Sequence, residues 1–147
     1  MRRKNPVGTV AFLVGAAGLV FSGMISGCAS TPPANVKAVQ CEADKIVWEV
    51  AQEAEIAEMS CAMGSHELEP SLIYTVTLKN ASDQPQRYRL HIFLEDMDKA
   101  AGFLVPIKGN PPVLAPGAQE TVKIPFMKTT TWSAKTVVRV RTISSED

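Results

Sequence analysis

The sequence predicts an all-β fold, an antiparallel sandwich of about seven strands. Three observations predict it. From Ser71 onward, apolar and polar residues alternate with a period of two in several short runs, the pattern of strands with one buried face. Turn-forming residues separate those runs at short intervals. No stretch alternates strand with helix in the way that builds a parallel sheet. The 147 residues are 46% hydrophobic and 20% charged, the composition of a folded chain, and they suffice for one ordinary domain. Fifteen Lys and Arg balance fifteen Asp and Glu, so the basic excess of a nucleic-acid binder is missing.

Leu72, Tyr74, Val76 and Leu78 alternate with Ile73, Thr75, Thr77 and Lys79, and Asn80-Ala81-Ser82-Asp83 then turns the chain ahead of Pro85. Tyr88, Leu90, Ile92 and Leu94 form the apolar face of the next strand, opposite Arg87, Arg89 and His91. Residues 96–102 read as a turn and 103–105 as a short third strand, stopped by Pro106 and by Gly109-Asn110-Pro111-Pro112, which suits an edge. Val122, Ile124 and Phe126 alternate with Thr121 and Lys123; finally Val138 and Val140 point inward while Arg139 and Arg141 point outward. Upstream, Ile46, Val47, Val50 and Ala54 fit helical spacing, yet 46–48 and 54–59 also read as two strands. The strand reading is taken, because the later strands need sandwich partners.

The N-terminus has a different character. Arg2, Arg3 and Lys4 form a positive tip, an apolar Gly/Ala-rich run covers residues 7–25, and no further charge occurs before Lys37. That is the layout of a secretory signal peptide, in which the apolar part is helical; a permanent membrane anchor is the competing reading. Ile25-Ser26-Gly27-Cys28 resembles the bacterial lipobox. The resemblance implies removal of residues 1–27 as a lipoprotein signal peptide and lipidation of Cys28 as the new N-terminus. Ala29, where Asp would signal retention in the inner membrane, implies the periplasmic face of the outer membrane. Two or more acyl chains hold a protein stably on a membrane it does not span. Residues 28–43, with Pro32-Pro33 and little apolar bulk, then read as lipidated terminus and flexible tether, leaving 44–147 as the domain.

Lipidation of Cys28 leaves Cys41 and Cys61 as an even pair in an oxidising compartment, where a disulfide closing about 20 residues adds ~3 kcal/mol of stability. A rival reading stays open. Met59, Cys61 and Met63 alternate on one strand face with His66 nearby, and thioether, thiolate and imidazole are ligands that select Cu(I). Free thiols are the third possibility.

A second resemblance covers residues 70–143. Ile92-Phe93-Leu94-Glu95-Asp96 is similar to the F-x-L-Y-D signature of small bacterial immunoglobulin-like domains, with Ile and Glu at two of its usual aromatic positions. Val76-Thr77-Leu78-Lys79-Asn80-Ala81-Ser82 and Leu114-Ala115-Pro116-Gly117-Ala118 resemble that family's segments in the same order. The resemblance implies an immunoglobulin-like sandwich used as a tethered module, with no common activity attached to it.

Chemistry-bearing patterns are sparse. Asp96-Met97-Asp98 lacks the later ligands of a calcium loop, since Ala100 and Ile107 stand at those positions. His91 has no Ser or Cys nucleophile in a recognisable motif beside it, and no nucleophile, base and orienter can be assembled, so an enzyme is not expected and no cofactor is implied. Charge is segregated instead. Residues 41–69 carry eight carboxylates against Lys45, a net −7, and residues 70–147 carry a net +3. Candidate partner contacts are Trp132, which is an anchor if it lies exposed in a loop although core packing is the reading taken for it, and the outward Arg89, Arg139 and Arg141. The function expected is a lipid-anchored, non-enzymatic binding or assembly module of the cell envelope, acting on an envelope protein. A periplasmic copper carrier using Met59, Cys61, Met63 and His66 is the alternative.

Overall fold

Two four-stranded sheets pack face to face in the computed structural model of the protein, which describes residues 31–143. The signal peptide expected over 1–27 and the lipidation expected at Cys28 therefore lie outside the described residues. The strands are β1 (Val36–Val39), β2 (Ile46–Val50), β3 (Ala54–His66), β4 (Glu69–Asn80), β5 (Arg87–Leu94), β6 (Lys99–Val105), β7 (Gln119–Met127) and β8 (Thr136–Ile143). One sheet has the order β1-β3-β4-β7 and the other β2-β8-β5-β6. The all-β sandwich is thus as expected, and 46–50 and 54–66 are strands rather than helix.

The sheets are mixed rather than antiparallel throughout. β1 pairs with β3 in parallel, and β2 pairs with β8 in parallel. The cause is a crossing near the start of the chain. β1 runs up the edge of the first sheet, a short 3-10 turn at Ala43–Lys45 carries the chain across, and β2 runs back down the edge of the second. Each edge so filled happens to point the same way as its neighbour.

Three boundaries differ from the sequence reading. The tether expected over 28–43 contains β1, an eighth strand, with Val36 only 7% exposed. Two apolar residues in a small-residue stretch give no periodic signal; the strand is fixed by Asn35, whose Nδ2 donates to Ala51 O and Ala54 O at 3.0 Å each. In β3 the alternation slips, because a bulge between Ile56 and Glu58 moves the inward set from Ala54 and Ile56 to Met59 and Cys61. The turn expected over 96–102 ends at Asp98, which has the left-handed φ of 52°, and Lys99–Ala101 already belong to β6.

The core follows the predicted faces. Leu72, Tyr74, Val76 and Leu78 of β4 meet Tyr88, Leu90, Ile92 and Leu94 of β5, with Val122, Ile124, Phe126, Val138 and Val140 beside them, all buried. Each such side chain contributes about 1.5–3 kcal/mol relative to exposure.

Register gives the sandwich two distinct ends. At the entry end, Val36 lies level with Ile56, and Ala51 N donates to Val140 O at 3.0 Å. At the other end, Cys61 lies level with Tyr74, and Ile46 with Thr136. Along β3 the two levels are about 15 Å apart at ~3.3 Å per residue.

Candidate functional site

The end away from chain entry carries a cleft of about 430 Å³. Its walls come from five places: Gln40, Cys41, Glu42 and Lys45 after β1, Ile46 of β2, Cys61 of β3, Tyr74 of β4, and Trp132, Ser133 and Thr136 around the start of β8. Cys41 and Cys61 are joined by a disulfide with their Cα atoms 5.5 Å apart, which pins the crossing segment to β3. Tyr74 Oη and Thr136 Oγ1 lie 3.1 Å apart and tie the two sheets together beneath the cleft. Burial pushes the Tyr74 phenol above its ordinary pKa, and its ring meets Phe126 edge-on at 5.8 Å.

Trp132 stands 51% exposed on this rim, so its loop reading holds and its core reading does not. The loop beneath it is held by the β5–β6 connection, from the sheet that β8 itself joins. Ser133 Oγ donates to Asp96 Oδ1 at 2.5 Å, and Ala134 N donates to Asp96 Oδ2 at 2.8 Å. Those two bonds, Ser133 first, hold the Asp96 carboxyl below its usual range. Asp96 therefore anchors a loop where the sequence offered only a solvated turn. The cleft joins apolar surface (Ile46, Tyr74, the disulfide, the indole) to a polar rim, the make-up of a site for an apolar group with a few orienting contacts.

A second constellation covers the outer face of the β2-β8-β5-β6 sheet. Arg89 faces Arg141, and His91 faces Arg139, across the β5–β8 ladder. Arg139 is ion-paired with Glu49 of β2, its Nη2 3.2 Å from Oε1, and its guanidinium lies 5.1 Å from the Phe93 ring centre. The Arg139 hydrogen bond pulls the Glu49 carboxyl below its ordinary value. His91 lies over Gly102, where an added Cβ would come within 2.1 Å of its Cδ2, and its ring is 5.7 Å from Phe93. Burial first, then Arg89, Arg139 and Arg141, depress the His91 pKa. Arg89 and Arg141 have no ion-pair partner among the described residues.

The structure separates residues that the sequence grouped. Trp132 belongs to the cleft end, whereas Arg89 and Arg141 lie on the outer sheet face toward chain entry, so they form no single contact patch. Of the copper set, Met59, Cys61 and Met63 do share one face of β3. Cys61 has its sulfur in the disulfide, Met59 is buried, and Met63 and His66 lie exposed along the β3 end of the hairpin. Among the described residues, no group of three or more His, Cys, Asp and Glu side chains is placed to hold a metal. Tyr74, Asp96, Ser133, Glu49 and Gly102 were not singled out from the sequence as site residues. The roles of Tyr74, Asp96, Ser133 and Glu49 arise from pairings across 37 to 90 residues of chain, and that of Gly102 from His91 on the neighbouring strand, for which a single sequence holds no signal. No family model, curated protein or solved structure matches the chain.

Proposed function

We propose that this protein is a lipid-anchored, non-enzymatic binding module of the bacterial cell envelope. It is held through Cys28 on the periplasmic face of the outer membrane, and it offers the cleft around Trp132 to a protein partner. One observation carries the reading: the described chain enters the sandwich at Asn35 and Val36, while the cleft opens at the opposite end. A membrane tether on the entry side leaves the cleft facing away from the lipid. An exposed indole beside an apolar cleft is the usual chemistry of an interface anchor, where truncation to Ala costs about 2 kcal/mol or more.

Two measurements test this. Labelled palmitate should enter the wild-type protein in cells and fail to enter a Cys28→Ala variant; equal labelling would remove the anchor. A photo-crosslinking residue at position 132 should trap an envelope protein in intact cells, and the same residue at the entry-end position 83 should not. Adducts at neither position, or equally at both, would refute the cleft as the binding site.

Arg89 and Arg141 favour a subsidiary contact on the entry side. Each basic residue near an anionic bilayer surface gains about 1 kcal/mol, so Arg89→Glu with Arg141→Glu should weaken adsorption to phosphatidylglycerol vesicles and leave the uncharged-lipid control unchanged.

A further inference from the structure

The cleft has a neighbour that its side chains alone do not reveal, an open stretch of sheet edge. β3 is 13 residues long, but β1 covers it only from Ile56 to Met59. Gln40 N donates to Met59 O at 2.8 Å; the chain then leaves the edge at Cys41, where the disulfide fastens it to Cys61. Beyond that point β3 is paired on the β4 side alone among the described residues, up to His66 opposite Glu69. Since Met59 turns its carbonyl toward β1, the period-two alternation turns the N–H and C=O of Met63 and Ser65 to the same side, which is open beyond the point where Cys41 lies beside Cys61.

The other sheet edges are blunted in ways that discourage pairing. β1 and β2 are only four and five residues long. β7 carries Lys123 and Pro125. β6 starts at Lys99, whose ammonium is bonded to the Met127 and Lys128 carbonyls, and runs into Pro106. The open run Ala62-Met63-Gly64-Ser65 has neither charge nor proline, and an edge of that kind is a template for another strand.

The surroundings specify the occupant. Cys61 belongs both to this edge and to the cleft wall, and Tyr74 opposite it lines the same cleft. A strand laid along Ala62–Ser65 therefore abuts the cleft wall at the Cys41–Cys61 disulfide and directs its nearest side chain toward the cleft beneath Trp132. Carboxylates flank the run, with Glu58 before it and Glu67 and Glu69 after it, and the nearby Lys45 is already paired with Glu42. We propose that a basic, extended segment of a partner polypeptide adds to β3 as a further strand, hydrogen-bonding Met63 and Ser65 beyond the disulfide and placing an apolar side chain in the cleft. The proposal rests on the binding-module reading and deepens it.

The test uses the full chain in detergent and two synthetic heptapeptides, one alternating lysine with valine and leucine, the other carrying glutamate in place of lysine. At a concentration ten times its Kd, the lysine peptide should slow amide exchange within residues 60–66 by about tenfold, and the glutamate peptide should not. Met63→Pro removes an N–H on the open side and spares the β4 ladder, so it should abolish the protection while the urea midpoint stays near wild type. If that variant fails to fold, Glu58→Lys with Glu67→Lys serves instead and should weaken lysine-peptide binding several-fold. No slowing, equal slowing by both peptides, or slowing untouched by these variants overturns strand addition. Protection that rises with protein concentration in the absence of peptide would assign the edge to a second copy and overturn it too. Crosslinking from position 132 that persists in the Met63→Pro chain, together with absent peptide protection, would sink strand addition alone; loss of the wild-type crosslink would sink the module reading as well.

Discussion

Removing the side chain of Asn80 should cost the domain about 3 kcal/mol, for reasons that can be traced bond by bond. Asn80 is fully buried at the entry end. Its Nδ2 donates to Gln84 O at 2.7 Å and to Leu114 O at 2.9 Å. Its Oδ1 accepts from Ser82 N at 2.9 Å, from Ser82 Oγ at 2.8 Å and from the Tyr88 hydroxyl at 2.8 Å. The buried bonds to Leu114 and Tyr88 are worth about 1 kcal/mol each and the three nearer the surface about half that. The loss stops short of the full desolvation penalty because two orphaned groups keep other partners: Leu114 O still accepts from Gln86 N, and the Tyr88 hydroxyl still has Glu53 O. Against the ~5–15 kcal/mol that small domains have in total, Asn80→Ala should raise the unfolding equilibrium constant roughly a hundredfold. Equilibrium urea unfolding with the disulfide intact, followed by tryptophan fluorescence, should show the midpoint fall by about 1–3 M at an unchanged slope. Asn80→Asp keeps the acceptor contacts but turns a second oxygen on the Gln84 and Leu114 carbonyls, so at neutral pH it should be no more stable than Asn80→Ala. A loss below about 1 kcal/mol, or an Asp variant clearly more stable than the Ala variant, would refute this account of the entry end.

Further outcomes follow from the same geometry. Replacing Cys41 and Cys61 by Ser opens a loop of 20 residues and should lower stability by about 3 kcal/mol in urea titration; an unchanged midpoint would show that the crosslink adds nothing to the folded chain. His91 is held below its ordinary pKa by burial and by Arg89, Arg139 and Arg141, so the unfolded chain binds that proton more readily. Its contribution to stability is therefore complete above about pH 6.5 and is lost as pH falls toward the folded value. His91→Asn should flatten the urea midpoint between about pH 7.5 and 5.5 relative to wild type, and a wild-type contribution from His91 that grows on acidification would contradict the assignment. Gly102→Val should expel the imidazole from its place over the bare backbone, at about 1–3 kcal/mol. It should also move the His91 titration, read by NMR, back up toward its ordinary value, and an unmoved titration would show that the ring does not depend on Gly102.

The sequence alone determined the class of the fold and most of its inward faces. Period-two alternation is a local consequence of strand geometry, so Leu72–Leu78, Tyr88–Leu94, Val122–Phe126 and Val138–Val140 were legible without any partner strand. The Cys41–Cys61 pair was legible from parity, given the lipobox-like Cys28, and Trp132 stood out by residue type. Where local signals were weak or shifted, the reading failed for identifiable causes. β1 buries too little apolar surface to show a period, the bulge at Ile56–Glu58 shifts the phase within β3, and Gly102 in β6 resembles a turn residue until a histidine ring is found lying over it.

Only the tertiary structure decided what faces what. The sequence could not show that β1 and β2 fill sheet edges in parallel, that Asp96 holds the loop of Trp132, or that Glu49 engages Arg139 across 90 residues. Nor could it show that Trp132 and the free arginines lie toward opposite ends of the sandwich. Alternation encodes which side of a strand is buried, because that depends on the strand itself. The order of strands in a sheet depends on burial summed over the whole chain, and the cleft and its open β3 edge exist only once that order is set.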